Sequence, residues 1–287
     1  MTGAGRTLRA AAEIVPVSRF AVWGDPIVHS KSPDLHAAAY RVLGLDWEYD
    51  RRQVTADAFT TALGELDETW RGLSLTMPLK EQAYRAAATR DRHAELTGAV
   101  NTLLLGDEMA GFNTDVGGIV DALTEAGISE VRDVRILGAG ATAASALVAV
   151  SELGATRADV RARRPDQAVG LRELGERIGV AVAGGPLDAA ADPVDLTIAT
   201  LPSGTALPAD IVAPLAASGG ALFDAAYAPW PSALAAAWSG APVVSGLGML
   251  LHQAVRQIRI FRHGDPALEL PAEAAVIAAM RDALLAR

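Results

Sequence analysis

The chain contains no cysteine, which excludes a disulfide framework, a thiolate zinc site, an iron–sulfur cluster and a cysteine nucleophile. Positive charge is outweighed: 25 Lys and Arg stand against 34 Asp and Glu, a formal net charge of −9. That balance argues against nucleic acid, whose phosphates call for clustered basic side chains. The one dense basic run is local, Arg161, Arg163 and Arg164. No secretory signal is expected over residues 1–17, because the apolar run Ala10–Ala12 is short and broken by Glu13 and Pro16. The longest uncharged stretch, Ala225–Leu251, carries Pro229, Pro231 and Pro242 and cannot be one spanning helix. It reads as turns and buried strand, and cytoplasmic residence follows. The histidines, His29, His36, His93, His252 and His263, show no metal-ligand spacing with carboxylates. No metal is expected. Aromatics are scarce, at 5%, and Trp70, Trp230 and Trp238 read as core or hinge packing.

What is present is a chain of 287 residues, 51% hydrophobic, long enough for about two domains with real cores. After a loose leader over 1–17, strands are predicted at Phe20–Trp23, Trp47–Val54, Gly72–Thr76 and Val100–Leu105. Helices are predicted from Ser32, as N-cap before Pro33, to Leu43, and over Ala56–Leu66. Strands alternating with helices predict an α/β domain with a largely parallel sheet. A second series follows, with strands at Val134–Leu137, Ala158–Ala162, Leu196–Thr200 and Ala221–Ala225, and a helix over Ala141–Leu153. The end of the chain differs, with two helices, Leu247–Phe261 and Ala272–Leu285, and no strand between them. These tail helices are expected to pack back on the first domain.

Ile136-Leu-Gly138-Ala-Gly140-Ala-Thr-Ala143 fits the strand–turn–helix fingerprint G-x-G-x-x-A of a Rossmann-like nucleotide site. The first glycine permits the turn, the second admits a pyrophosphate, and the small third residue lets helix pack on strand. Backbone N–H groups of Gly138, Ala139, Gly140, Ala141 and Thr142 would then face phosphates. An NAD site wants an acid near the end of the next strand. Here Asp159 stands at that strand's beginning and its end reads Arg161-Ala-Arg163-Arg164. Cations there offer charge-assisted bonds to a 2′-phosphate, so the reading is NADP, with Arg163 ahead of Arg164. The competing reading is a solvated surface cluster.

Polar constellations mark the ends of the first-domain strands, where ligands of open α/β sheets bind. They are His29-Ser30-Lys31-Ser32-Pro33, Thr76-Met-Pro-Leu-Lys80, and Asn101-Thr102 with Gly111-Phe-Asn113-Thr114-Asp115. Hydroxyls, an amide, one amine and one carboxylate suit a neutral, polyhydroxylated substrate. A Lys beside an Asp can exchange a proton with a substrate hydroxyl while hydride moves to a nicotinamide. Asp115 also reads as an N-cap for a helix over Val116–Ala126, and His29 as the residue that fixes the serine loop.

These blocks, with Gly24-Asp-Pro-Ile-Val-His-Ser-Lys-Ser-Pro33, Gly72–Lys80, Gly98-Ala-Val-Asn-Thr102, Tyr227-Ala-Pro-Trp-Pro231 and Gly246-Leu-Gly-Met-Leu-Leu-His-Gln253, resemble the shikimate dehydrogenase family in its actinobacterial style. The resemblance runs in order over about residues 20–262. It implies NADPH-linked reduction of 3-dehydroshikimate to shikimate in aromatic amino-acid biosynthesis, by a monomer or homodimer. It implies Lys80 and Asp115 as catalytic pair, Ser30 and Ser32 on the substrate carboxylate, and Thr76, Asn101, Tyr227 and Gln253 on carboxylate or ring hydroxyls. Ala225 and Gly246 would line the nicotinamide end. It also implies a substrate-binding domain of 1–116 and 246–287 around a Rossmann-like NADP domain of 117–245. The chain departs from the family at Ser74, usually Asn, at Ala162-Arg163-Arg164, usually Asn-Arg-Thr, and at Ile198-Ala-Thr-Leu201, usually Asn-Ala-Thr-Pro. A quinate or amino-shikimate enzyme and an NADP-binding sensor are the rivals. Ser32 and Arg163 count against quinate, and the retained Lys80 and Asp115 against the sensor.

Overall fold

The computed structural model describes residues 17–189 and 192–286, so the expected leader lies outside the described residues apart from Val17. Two six-stranded sheets carry the chain. The first comprises β1 (Ser18–Gly24), β2 (Trp47–Gln53), β3 (Trp70–Leu75), β4 (Thr89–Arg90), β5 (Thr102–Leu104) and β6 (Ala110–Phe112), in the order β2-β1-β3-β5-β6-β4. The second comprises β7 (Asp133–Leu137), β8 (Arg157–Arg161), β9 (Ala181–Gly185), β10 (Leu196–Ala199), β11 (Ala221–Asp224) and β12 (Val243–Ser245), in the order β12-β11-β10-β7-β8-β9.

Every pairing in the second sheet is parallel, and its order is that of a doubly wound dinucleotide-binding sheet. Its central strands β7, β10 and β11 are buried along nearly all their length, as strands of a parallel sheet covered on both faces are. The order of winding switches between β7 and β10, which is where ligands of such sheets bind. The first sheet keeps the expected parallel majority, β1 pairing parallel with β2 and β3 and β4 with β6, while β3–β5 and β5–β6 are antiparallel. The β5–β6 pairing has a local cause, because the short turn carrying Gly106-Asp107-Glu108 joins two three-residue strands into a hairpin, and a hairpin admits only antiparallel pairing.

Helices α1 (Ser32–Leu43), α2 (Phe59–Gly64), α3 (Lys80–Ala86) and α4 (Arg92–Thr97) belong to the first series, and α5 (Thr114–Glu125) leads out of it. The second carries α6 (Ala141–Glu152), α7 (Val169–Ile178), α8 (Ala209–Ser218) and α9 (Ala233–Ala237), and the chain closes with α10 (Leu247–His263) and α11 (Glu273–Leu285). Gly44 ends α1 in the left-handed conformation, as its position predicts. Helix α6 is buried on nearly every side from Ala143 to Val150, and its alanines let α4, α5 and α7 approach closely. The tail helices return: Leu251, Ile258, Phe261, Val276 and Met280 share one core with Phe20, Leu35 and Tyr40. Among the expected core tryptophans, Trp238 is buried and Trp70 lies under Arg19, but Trp230 is 40% exposed. The uncharged stretch 225–251 divides among turns, α9, β12 and the start of α10, and no described helix is long and apolar enough to cross a membrane.

Candidate active site

Four chain segments bring their polar side chains to one point beyond β3. Lys80 opens α3, after a turn closed by the Leu79 N–H on the Thr76 carbonyl at 2.8 Å. Asp115 is the second residue of α5, but it is not the cap. Asn113 occupies that place, and its side chain accepts from the Asp115 N–H at 3.0 Å. Asn113 stands one residue outside the helix, where a side-chain oxygen reaches the first free N–H groups. The Asp115 carboxylate is thereby left for other partners. One oxygen, Oδ2, accepts from Lys80 Nζ, with the two side chains only 15% and 6% exposed. The other, Oδ1, accepts from Asn101 Nδ2 at 2.8 Å.

Asn101 is itself oriented on both sides. Its Oδ1 accepts from the Thr114 N–H and the Thr102 hydroxyl, each at 2.9 Å, while Nδ2 also reaches Gln253 Oε1 at 3.4 Å. Gln253 in turn donates to the Leu250 carbonyl at 3.1 Å. Lys80, Asp115, Asn101 and Gln253 thus form one hydrogen-bonded cluster. An ammonium carries three donors, so two remain for a ligand oxygen.

Ser32 is not the helix cap either. Lys31 holds that position without a side-chain cap bond, and Ser32 is the first helical residue, its N–H donating to Ser30 Oγ at 3.3 Å. His29 is exposed and makes no hydrogen bond among the described residues, so it does not fix the serine loop. The buried histidine is His36, one turn along α1. It stacks on Tyr49 with ring centroids 3.7 Å apart, and its ring nitrogens meet Tyr40 Oη at 3.1 Å and Gln257 Oε1 at 3.3 Å. Burial drives its pKa down to about 3 against the opposing Gln257 bond, so the ring is neutral. Burial likewise raises the Tyr49 hydroxyl, against the pull of Ser74 and Ser32. Sequence reasoning missed His36, Tyr49 and Gln257. The usable signal was spacing: His36 and Gln257 each follow a candidate residue, Ser32 and Gln253, by four, which is one helical turn.

Other candidates stand apart. Thr76 is half-buried, its methyl packed so closely on Gly24 that a Cβ there would come within 2.3 Å. Tyr227 is half-buried and burial raises its hydroxyl. Among the described residues, no side-chain hydrogen bond joins Ser30, Thr76 or Tyr227 to the Lys80 cluster.

The nucleotide end is built from backbone. Gly138 has φ 115°, and a Cβ there would come 2.4 Å from Thr200 Oγ1, so both conformation and space require glycine. Gly140 caps α6 without a side-chain bond, and a Cβ there would meet nothing within 4 Å. The free N–H groups of Ala141 and Thr142 therefore border open space. At the end of β8, Arg161 turns inward to Asp159 at 2.6 Å, and Asp159 also holds Arg135 at 3.1 Å. Arg163 and Arg164 are exposed and carry no ion pair among the described residues. Open glycine turn, helix N-terminus and two uncommitted cations fit a phosphorylated dinucleotide. Ala225 and Gly246 touch: a Cβ on Gly246 would lie 2.2 Å from the Ala225 carbonyl oxygen. A bridge joins the two ends, since Asn113 Nδ2 donates to Thr97 Oγ1 at 2.8 Å and to Ser145 Oγ of α6 at 3.1 Å.

Residues 22–103 match the family model described as the shikimate dehydrogenase substrate binding domain. The shikimate dehydrogenase (NADP(+)) of Methanosarcina mazei is 36% identical over 269 residues, 88% of this chain and 95% of that protein. Among solved structures, shikimate dehydrogenase of Mycobacterium tuberculosis is similar with a TM-score of 0.78 at 39% identity, over 92% of this chain and 99% of that one. Shikimate 5-dehydrogenase of Thermus thermophilus, in complex with NADP(H) and shikimate, gives 0.77 at 31% identity, over 93% and 100%.

Proposed function

The chain belongs to the shikimate dehydrogenase family, and from that premise we propose that it interconverts 3-dehydroshikimate and shikimate with NADP, the cluster around Lys80 forming its substrate site. The observation that carries this reading is the cluster itself: an ammonium, a carboxylate and two amides from separate elements, nearly closed to solvent.

Bound NADPH would supply the hydride equivalent for the substrate carbonyl. Lys80 Nζ holds the proton that the 3-oxygen needs as the carbonyl becomes an alcohol, and takes it back in the reverse direction. Asp115 fixes the ammonium in place, and Asn101 fixes Asp115. Gln253 presents its amide beside them to ring hydroxyls. Ser30 and Ser32 receive the substrate carboxylate, with Thr76 and Tyr227 completing the pocket wall. The N–H groups from Gly138 to Thr142 hold the pyrophosphate, Arg163 and then Arg164 the 2′-phosphate, and Ala225 and Gly246 border the nicotinamide.

The substrate-binding unit is assigned to 1–116 and 246–287, and the nucleotide-binding unit to 117–245. Support comes from the tail helices, which share their core with β1 and α1. Helix α5 crosses the boundary and packs on both α10 and α6. Residence in the cytoplasm belongs to the same proposal, because a charged dinucleotide does not cross membranes unaided.

The test follows reduced-nicotinamide absorbance with shikimate or quinate crossed against NADP⁺ or NAD⁺, with Lys80→Ala alongside. Turnover of shikimate with NADP⁺, nearly lost in Lys80→Ala, is expected. Quinate with NAD⁺ as the better pair would overturn the reading of Ser32 and of the arginine strand end.

A further inference from the structure

Between the serine loop and Asn101 lies a buried row of neutral polar side chains to which the proposed mechanism gives no part. Tyr49 Oη lies 2.7 Å from Ser74 Oγ, and Ser74 Oγ 2.9 Å from Gln257 Oε1. His36 Nε2 lies 3.3 Å from the same Oε1, and Tyr40 Oη 3.1 Å from His36 Nδ1. Gln257 Nε2 faces the Asn101 carbonyl at 3.5 Å. Ser74 and Gln257 are 3% and 2% exposed, so each polar atom here needs a partner from the protein.

The proton directions follow from what each group can do. A carbonyl only accepts, so the Gln257 amide turns its NH₂ to Asn101 and its oxygen to Ser74 and His36. That oxygen only accepts, so Ser74 donates to it, and His36 donates from Nε2. Ser74 has one proton and has committed it. It therefore accepts from Tyr49, whose own single proton is committed in turn. One amide thus sets three protons, those of Ser74, His36 and Tyr49, and meets the backbone of Asn101 at its other end.

We propose that Gln257 is a positioning residue for substrate binding, tying the Asn101 backbone to α1 through His36 and to Tyr49 through Ser74. The proposal rests on the assignment of Ser32 and Asn101 to the substrate site. Two walls of the pocket, one from α1 and one from β5, are set against each other by a side chain that touches no ligand. The effect falls on capture of the substrate, since Gln257 bonds neither Lys80 nor Asp115.

Steady-state kinetics and calorimetric titration of shikimate test this on Gln257→Leu, Tyr49→Phe, their double variant and Gln257→Glu. Gln257→Leu is expected to raise the shikimate KM about tenfold, the equivalent of one well-made hydrogen bond, with kcat and the NADP⁺ KM within about twofold of wild type. Tyr49→Phe is expected to move KM in the same direction by less. The double variant should be no worse than Gln257→Leu, because Tyr49 acts through that amide. Gln257→Glu supplies the chemical rescue: protonated, the acid can donate to the Asn101 carbonyl and accept from Ser74. Its KM should approach wild type at low pH and rise as the carboxyl ionises. Unchanged shikimate KM in Gln257→Leu and Tyr49→Phe overturns the proposal, as does a loss confined to kcat or melting temperature. If Gln257→Leu does not fold, Tyr49→Phe and the pH course of Gln257→Glu decide alone. Wild-type protein that fails to turn over shikimate sinks the functional reading, and this proposal with it.

Discussion

Around Lys80 the polar side chains are bonded to one another. At the Gly138 end, backbone N–H groups and two exposed arginines face open space. The first is a site made by tertiary structure, its parts drawn from α3, α5, α10 and the residue before β5. The second is a site made by local chain geometry, within one consecutive stretch from β7 through α6 to the residues just after β8. An enclosed cluster keeps its charges strong and its orientations fixed, because the surrounding dielectric is low. An open backbone cradle needs no side-chain chemistry, and relies on the free groups of a helix N-terminus. If this contrast is right, the two ends should respond separately to substitution.

The sharpest break should come from Lys80→Ala. Removing the proposed proton donor is expected to lower kcat by about 10²–10⁴-fold, the range for a positioned general acid or base. NADPH affinity, followed by fluorescence titration, should stay within about twofold. A large loss of NADPH binding in this variant would mean that the two ends are one unit and the contrast is false. Lys80→Ala should also lower the melting temperature, since the Asp115 carboxylate would stay buried without its cation. Asp115→Asn/Lys80→Ala should recover part of that stability without recovering activity.

The enclosed end should also carry an acid sensitivity that the open end lacks. His36 faces Tyr40, Tyr49, Gln257 and Phe261, none of them charged. Its pKa is about 3 in the folded protein against 6.5 in the unfolded chain. Below pH 6.5 the unfolded chain takes up a proton that the folded protein refuses. Stability is therefore complete above that pH and falls as the solution is acidified towards pH 3, by about 2 kcal/mol at pH 5. Melting curves between pH 7 and 5 check this. His36→Asn should be less stable at pH 7, yet lose less on acidification.

At the open end, Arg163→Ala is expected to raise the NADP⁺ KM about tenfold, the order of one charge-assisted bond near solvent. The NAD⁺ KM should hardly change, and the difference should shrink with added salt because the group is exposed. Arg164→Ala is expected to do the same by less. Equal effects on both cofactors would mean that these arginines do not discriminate between them.

The same contrast explains what could be read from sequence. Gly138, Gly140 and the strand end at Arg163 lie within about 25 residues of one another, so their geometry is written locally and was legible as such. The inner strands β7, β8, β10 and β11 were equally legible as short runs between turns, whereas the edge strands β9 and β12, with no buried residue, were not. Caps were misread at Ser32 and Asp115, where a neighbouring residue, Lys31 or Asn113, took the position. A shift of one residue at Ser32 and of two at Asp115 decides that, and propensity does not resolve it. The β5–β6 hairpin was missed because three-residue strands leave too little alternation to detect. Gln257 was invisible for another reason: its partners lie 183 and 221 residues away, at Ser74 and His36. A pattern within α10 alone gives it only a buried face.

The smallest expected effect tests the one link between the two regions. Ser145 stands in the first turns of α6, directly behind the glycine turn, and its hydroxyl accepts from Asn113 Nδ2 at 3.1 Å while donating to the Ala141 carbonyl at 3.2 Å. Asn113 caps α5 and so holds the backbone at Asp115. Ser145→Ala removes one buried hydrogen bond and leaves the Asn113 amide its bond to Thr97, so the stability loss should be only about 1 kcal/mol. The informative quantity is the coupling between ligands. In the wild type, shikimate and NADP⁺ binding should each alter the other's affinity, and by linkage the two factors must be equal. If Ser145 carries that coupling, both factors should move towards one together in Ser145→Ala, while each ligand alone binds within about twofold of wild type. If the factors persist, the ends of the cleft communicate through the packing of α5 on α6 rather than through this hydroxyl.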